Sequence, residues 1–188
     1  MYESISLARI TDILDVFEEW RTLGCKRLPN GTELIGRVPD GDSIAWMHVL
    51  FPRLSAERID AMERQLRRPL PRDLRRLYRT TGAMSLFGGA FHIVGMRPAF
   101  LYEGEAALQP VDLEAFNHEL ECASWKSEQA IAFALNSWDH SIHVMGAGSS
   151  EQEIWRMERG TGMLLERHAN IWDFLSDKLH KLDQILIR

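Results

Sequence analysis

Cysteine is scarce in this sequence, and long apolar runs are missing. The 188 residues include two cysteines, Cys25 and Cys122, which belong to no Cys-x-x-Cys or Cys/His spacing. This usage is typical of reduced thiols in a cytosolic protein rather than of a disulfide framework. No apolar run approaches the roughly 20 residues that a membrane helix needs, and the acidic, amphipathic N-terminal segment differs from a secretory signal. We therefore expect a cytoplasmic protein with no membrane partner.

The sequence also lacks the short motifs that usually accompany catalysis or metal binding. No G-x-S-x-G segment is present, and the Gly-Ser run at 146–150 precedes no lysine, so it fits a hairpin turn better than a phosphate loop. His140 and His143 lie close together, but on a strand they point to opposite faces, whereas zinc needs three or four converging ligands. We expect no catalytic residue, metal or cofactor, although a carboxylate pair for glycoside hydrolysis stays open.

Charge is distributed unevenly along the chain. The formal net charge is −5, yet nine arginines and four carboxylates between Arg53 and Arg79 give that segment a net charge of +5. Such asymmetry favours a charged partner; the alternative is a set of solvated helix faces with intrahelical Glu–Arg pairs. The arginines also suit nucleic-acid phosphates. Because no aromatics interleave them and the whole chain is acidic, nucleic acid is the weaker alternative.

Hydrophobic residues recur at helical spacing in several segments. The first predicted helix spans residues 5–23. The second begins at a Ser55 cap and stops before Pro69, since the residue before proline disfavours helix. A third begins near Pro71 and ends at Gly82. Two more follow in the C-terminal half, one over 112–123 behind an Asp112 cap and one that begins at an Asn170 cap.

Short apolar segments separated by turn residues predict the strands. Two, "ELIGRV" and "SIAWMHVLF", precede the second helix and form a candidate hairpin. The others are "AFHIVG" (90–95), "AIAFAL" (130–135), "SIHVM" (141–145), "EIWRME" (153–158) and "GMLLER" (162–167). Because helices and strands do not alternate regularly, the predicted class is α+β. We expect a single mainly antiparallel sheet of about five or six strands, with helices packed over it and a C-terminal helix.

This order of elements resembles the SUKH superfamily, typified by a fungal glucan-synthesis regulator and by many bacterial immunity proteins. The segment "IDAMERQLRRPLPRDLRRLYRTTGA" matches the family's two helices around a Leu-Pro step at Ile59, Glu63, Leu66, Leu70, Pro71, Leu74, Leu77 and Gly82. "IAFALNSWDHSIHVM", "EIWRME" and "NIWDFLSDKL" are similar to its later strands and closing helix. The likeness spans residues 55–181. It departs from the family at Arg67-Arg68-Pro69, where a glycine is usual, and at Thr81-Gly82-Ala83 in place of an Asn-Gly-Gly turn.

The resemblance implies a protein-binding module without catalytic residues. Residues 53–188 would form the SUKH-like core domain, and residues 1–52 an N-terminal extension of a helix and a hairpin packed on that core. Members of this family in bacteria commonly neutralise toxins, often nucleases, by occluding them. The expected partner is therefore a cognate toxin or another protein. A regulatory scaffold of the same fold, related to cell-wall regulators, is the alternative, and an uncharacterised hydrolase a weaker one.

Acidic positions beside aromatic residues are the candidates for the partner-binding surface. An acidic surface complements a basic nuclease site and raises both the association rate and the specificity, and tryptophan and tyrosine are enriched among interface anchors. The candidates are Tyr102, Glu103, Glu105, Trp138, Asp139, Glu151 and Glu153. Trp155 lies in the middle of a predicted strand and fits a core position better. Trp138 lies in a polar turn and suits either role.

Overall fold

The chain builds one continuous antiparallel sheet. A computed structural model describes residues 13, 15–40, 43–97, 108–122, 130–146 and 153–186. In these ranges nine strands follow one another in sequence order, each antiparallel to its neighbours. They are β1 (Cys25–Arg27), β2 (Glu33–Asp40), β3 (Ser43–Leu50), β4 (Met84–Leu86), β5 (Phe91–Ile93), β6 (Ala130–Asn136), β7 (Ile142–Gly146), β8 (Ile154–Met157) and β9 (Leu164–His168).

Helices occupy the segments predicted for them. The first, α1, is helical over 15–21 in the described residues. The others are α2 (Ala56–Leu66), α3 (Arg72–Thr80), α4 (Leu113–Cys122) and α5 (Ile171–Leu186). Within the described ranges, no helix combines the length and the apolarity needed to cross a membrane.

The α+β class, the antiparallel sheet and the C-terminal helix are confirmed, but the expected number of five or six strands is wrong, because the sheet has nine. The excess comes partly from β1 and β4, which are three residues long. Three residues are too few to establish a periodic pattern. β5 is equally short but lies within the predicted apolar segment 90–95. The hairpin β2–β3 pairs with β4 and so continues the same sheet.

Local capping explains where the helices begin and end. The Ser55 hydroxyl accepts a hydrogen bond from the Arg58 N–H at the start of α2, and Arg67 closes that helix with a left-handed φ of 55° before Pro69. The Asn170 side chain accepts bonds from two backbone N–H groups of α5. α3 ends at Thr80, and Thr81 caps it in an extended conformation, one residue before Gly82.

Aromatic packing fixes α5 against the sheet. The Phe174 ring meets Phe91 on β5 at 5.7 Å and Phe133 on β6 at 5.8 Å between centroids, both edge to face. The Trp20 indole of α1 donates a hydrogen bond to Asp183 of α5 at 2.8 Å. Together these contacts place α5 over the central strands and join it to α1.

Asn117 anchors α4 to the sheet. Its side chain is buried; its amide donates to the Ala132 carbonyl at 2.9 Å, and its Oδ1 accepts from the Ala132 N–H at 2.9 Å. The register between β6 and β7 shifts immediately after Ala132, so the side-chain amide pairs backbone groups at an irregular point of the ladder. A buried backbone group needs such a partner.

Asn117→Ala is expected to lower the free energy of unfolding by about 2 to 4 kcal/mol, because it leaves two buried backbone groups unpaired. Urea unfolding followed by circular dichroism measures the change. Glu114→Ala, at an exposed position of the same helix, is the matched control and should cost less than about 1 kcal/mol. Equal losses in the two variants would show that Asn117 contributes no more than helix propensity.

Candidate protein-binding surface

Two hairpin turns lie at the same end of the sheet. The register runs from Leu135 on β6 to Ile142 on β7, then to Met157 on β8 and Leu164 on β9. The turn between β6 and β7 and the turn between β8 and β9 therefore emerge side by side. Since neighbouring strands lie about 4.8 Å apart, β6 and β9 are separated by roughly 14 Å at this end.

Large apolar side chains are exposed on these turns and on the strand beside them. Trp138, in the β6–β7 turn, is 61% exposed, and Met163, in the β8–β9 turn, is 56% exposed. Leu164 and Leu165 of β9 are 42% and 43% exposed. We call Trp138, Met163 and Leu164, with Asp139, Arg156 and Glu166, the turn surface. Leu165 lies on the opposite face of β9 from Leu164 and Glu166. A cluster of exposed apolar groups with a polar border is typical of protein-binding sites.

β9 adds an open backbone edge to this surface. In the part of the chain that the structure describes, β9 pairs with β8 alone and so ends the sheet. Leu164 and Leu165 are consecutive and thus point to opposite faces of the strand. An edge strand that exposes apolar groups on both faces is a template for pairing with another chain.

Arg156 holds the turn surface together from β8. Its guanidinium donates to Asp139, and its Nε donates to the Ser141 hydroxyl at 2.9 Å. A third contact, to Glu166 on β9, measures 3.5 Å. Ser141 also accepts from the Asn136 amide at 2.6 Å. One arginine of β8 therefore links β9 and the β6–β7 turn, so Trp138 projects from a supported turn.

The Asp139 carboxylate belongs to this network, and 47% of its side chain is exposed to solvent. It accepts from the Ser141 N–H at 2.9 Å as well as from Arg156. Partial burial raises the pKa of Asp139, but the Ser141 hydrogen bonds and the Arg156 guanidinium outweigh burial and bring it to about 2. Asp139 stays ionised and supports the turn. Its negative charge is balanced mainly by the Arg156 guanidinium of the same protein. Its predicted role in partner binding stays a prediction.

The structure separates the other predicted site residues. Glu153 is exposed and accepts a hydrogen bond from the Trp155 indole at 3.0 Å. It precedes β8 at the end of the sheet opposite Trp138, because its neighbour Ile154 pairs with Met145 and His168. Trp155 is half-buried and packs against the core, as its mid-strand position predicted. The remaining candidates, Tyr102, Glu103, Glu105 and Glu151, lie outside the described residues.

Sequence reasoning missed the apolar part of the turn surface. The segment "GMLLER" was interpreted as a strand, and its leucines gave no sign of exposure. Their exposure follows from the place of β9 at the edge of the sheet, which depends on the order of all nine strands. The available signal was local: Met163 and Leu164 follow directly on the turn residues "RGTG", where apolar side chains are uncommon.

Several arginines of the Arg53–Arg79 segment are bound within the fold. Arg75 pairs with Asp60 at 2.9 Å and also with Glu63, which joins α3 to α2. Arg68 pairs with Glu121 of α4 and donates to the Ala130 carbonyl at 3.1 Å. These bridges are structural. Exposed arginines of the segment are Arg53, Arg58, Arg64, Arg67, Arg72, Arg76 and Arg79.

A cluster where α5 packs on the sheet combines the buried His143 with the half-buried His168 and Lys178. The His143 ring packs between Phe91 and Phe174, and within the described part of the chain its Nδ1 has no hydrogen-bond partner. The Lys178 ammonium lies 5.2 Å from the centre of the Phe91 ring. Burial lowers the pKa of Lys178 to about 8 and holds the pKa of His143 well below its usual range. Aromatic packing accounts for the position of both side chains.

No geometry for a metal appears in the ranges that the structure describes, where no group of three or more His, Cys, Asp or Glu side chains is placed to hold an ion. No family model matches this chain, and no curated protein matches it. A function can therefore be inferred only from the residues of the turn surface and from the resemblance of the sequence pattern to the SUKH superfamily.

Proposed function

We propose that this protein is a non-enzymatic protein-binding module that neutralises a cognate toxin by covering it. The pattern of the two helices around the Leu-Pro step supports the immunity role, because the proteins that it resembles commonly act in this way. The exposed Trp138, at the same end of the sheet as the start of the edge strand β9, supports protein binding. The presence of an aromatic anchor and of a strand with one open edge at the same end of the sheet is the observation that carries the proposal.

The partner docks on the turn surface through apolar contact rather than through net negative charge. Trp138 and Met163 supply the anchoring groups, since aromatic residues and methionine are enriched at interface centres. Asp139 and Glu166 are offset by Arg156, so the acidic complementarity expected from the sequence contributes little at this place. A strand of the partner pairs with the outer edge of β9 and extends the sheet.

The Arg156 network lowers the cost of docking. Association loses free energy when side chains and loops become ordered. The bonds from Arg156 to Asp139, Ser141 and Glu166 already hold the β6–β7 turn on β8 and β9 before the partner arrives. The turn surface is thus preformed, and the partner meets a fixed shape.

Trp138→Ala is expected to weaken partner binding by at least about 30-fold, the loss of 2 kcal/mol or more that is typical of a central aromatic anchor. The partner is first recovered by co-purification with the tagged protein from its own cells and identified by mass. Affinity of the purified pair is then measured by calorimetry. Because Trp138 is exposed and has no role in the core, folding should be unchanged, and thermal unfolding checks this.

Leu23→Ala is the matched control, since Leu23 is 54% exposed and follows α1, away from the turn surface. It should bind the partner as the wild type does. Equal affinity of Trp138→Ala and the wild type would reject the turn surface. A partner that is not a toxin, but a component of a regulatory system, would reject the immunity role and leave the protein-binding module intact.

A further inference from the structure

A second feature, distinct from the turn surface, is an apolar cleft between α1, α3, α5 and the strands β3 and β4. Its volume is about 500 Å³, within the range of roughly 300 to 1,000 Å³ that is usual for small-molecule sites. Apolar side chains form most of its wall, including Phe17, Leu50, Leu77, Met84, Trp172 and Leu175. None of its lining residues belongs to the turn surface.

Three arginines line the cleft, and one of them is neutralised. Arg21 pairs with Glu33 through two parallel contacts, from Nε at 3.1 Å and from Nη2 at 3.2 Å. The Arg21 hydrogen bond, the largest effect, lowers the pKa of Glu33, so this carboxylate stays ionised and its charge is directed at Arg21. Because Arg21 and Glu33 neutralise each other in this forked pair, any net positive charge of the cleft comes from the other two arginines.

Arg27 and Arg53 supply positive charge that no carboxylate matches by direct contact. Both line the cleft and both are exposed, so they stand where it meets solvent. Among the residues that the structure describes, neither has a carboxylate within 4 Å. Glu33 lies opposite Arg27 in the β1–β2 register and interacts with it only at longer range, so Arg21 remains the direct partner of this carboxylate. A guanidinium at the mouth of an apolar cleft is well suited to a carboxylate or a similar planar anion.

We propose that the cleft binds a small amphiphilic anion, whose apolar body fills the space between Phe17, Met84 and Trp172 and whose acidic group is held by Arg27 and Arg53. The apolar wall supplies affinity by burial of the ligand body. The two arginines select an anion over its neutral analogue. This site does not depend on the protein-binding role of the turn surface.

Two fluorescent probes with the same aromatic body test the charge requirement. Anilinonaphthalene sulfonate carries one anionic group, and N-phenylnaphthylamine carries none. Titration into the full-length protein should show saturable binding of both, with the anionic probe at least about tenfold tighter, the factor that corresponds to one charge-assisted contact. Hexadecanoate should displace the bound anionic probe, and hexadecanol should not.

Arg27→Ala and Arg53→Ala should each weaken the anionic probe by about tenfold and leave the neutral probe within about twofold. Arg79→Ala removes an exposed arginine of α3 that does not line the cleft, and it is the matched control. Thr80→Trp places a large side chain at an exposed position of the cleft wall and should block both probes. Gln65→Trp, at an exposed position of α2, should block neither.

Four results of these titrations would overturn the anion-binding proposal. Equal affinity for the two probes, or an anionic preference that survives both Arg27→Ala and Arg53→Ala, overturns the proposal. Binding that Thr80→Trp does not reduce would place the probes elsewhere and overturns it as well. Binding that appears only after deletion of residues 1–12 would assign the cleft to that segment of the chain and has the same consequence. Thermal unfolding of each variant confirms that it is folded.

Discussion

Gly95→Ala is expected to remove more than about 4 kcal/mol from the free energy of unfolding, which marks it as an exceptional single substitution. A Cβ at Gly95 would lie 1.9 Å from the Gly82 carbonyl oxygen and 2.8 Å from the Ala83 Cβ. The overlap is with backbone, so no flexible side chain can move aside. Hydrogen bonds fix the residue on both sides, from its N–H to Val111 and from Leu113 to its carbonyl.

The neighbouring backbone is equally confined. A Cβ at Gly82 would lie 2.3 Å from the Pro52 carbonyl oxygen, and the Gly82 N–H already donates to Phe51 at 3.1 Å. Three stretches of backbone thus pass one another without room for a methyl group. Neither Gly82 nor Gly95 has a positive φ, so close approach, rather than backbone conformation, requires glycine at both positions.

Urea unfolding measures the loss, and Gly160→Ala is the matched control. Among the residues that the structure describes, none has an atom within 4 Å of the place that a Cβ on Gly160 would occupy, and Gly160 has no positive φ. Alanine there should change stability by less than about 1 kcal/mol and can raise it by restricting the unfolded chain. A Gly95→Ala variant that unfolds within about 1 kcal/mol of the wild type would show that the backbone can separate at this crossing.

Acid is expected to destabilise the protein between about pH 6.5 and 4 through His48, by about 2 kcal/mol at pH 5 relative to neutral pH. The His48 ring is fully buried on β3, and neither ring nitrogen has a hydrogen-bond partner among the residues that the structure describes. Edges or faces of Phe17, Trp20 and Phe87 surround it, with ring centroids 4.7 to 5.3 Å away. Burial lowers the pKa of His48 to about 4.

The free energy of unfolding falls as the pH is lowered because the unfolded chain takes up a proton at His48 before the folded chain does. The unfolded chain binds a proton at His48 near pH 6.5, whereas the folded chain does so only near pH 4. Stability is therefore fully present above pH 6.5 and falls as the pH drops toward 4. Buried His143, whose pKa is lowered chiefly by burial, adds in the same direction. Glu33 and Asp139 have lowered pKa values and stabilise the folded protein while they are ionised. Their unfolded pKa values lie near 4, so this stabilisation is lost below the pH range in which His48 acts.

His48→Leu should remove much of this pH dependence and stabilise the protein at pH 5, since it replaces two unpaired buried nitrogens by an apolar group of similar size. Urea unfolding at neutral pH and at pH 5 measures the difference. His118→Leu, at an exposed position of α4, should keep the pH dependence of the wild type. If His48→Leu retained it as well, the acid response would come from other groups.

Prediction from the sequence succeeded where a segment carries its own signal. Caps at Ser55, Asp112 and Asn170 begin the helices as expected, because capping depends on neighbours within three residues. The hairpin β2–β3 and the strands of the C-terminal half have enough residues to show apolar patterning. Three residues are too few to establish such a pattern, so the sequence does not predict β1 and β4, and the expected sheet is too narrow. β5 is equally short but lies within the predicted segment 90–95.

For the candidate site, the sequence identified Trp138 but not its surroundings. A tryptophan in a polar turn suits an exposed anchor or a core residue equally well, and only the structure places it in solvent. Asp139 was selected for its charge, whereas the fold pairs that charge with Arg156 across the β6–β7 turn and β8. The two residues are 17 positions apart, and their contact depends on strand register, which spacing along the chain does not reveal.

The sequence by itself determined the α+β class, the position and caps of the helices, and the asymmetry of charge, because each depends on local composition and periodicity. Tertiary structure alone decided which strand lies at the edge, which arginines are paired, and which glycines meet neighbouring backbone. The physical reason is that exposure, ion pairing and close approach depend on residues distant in the chain that folding brings together.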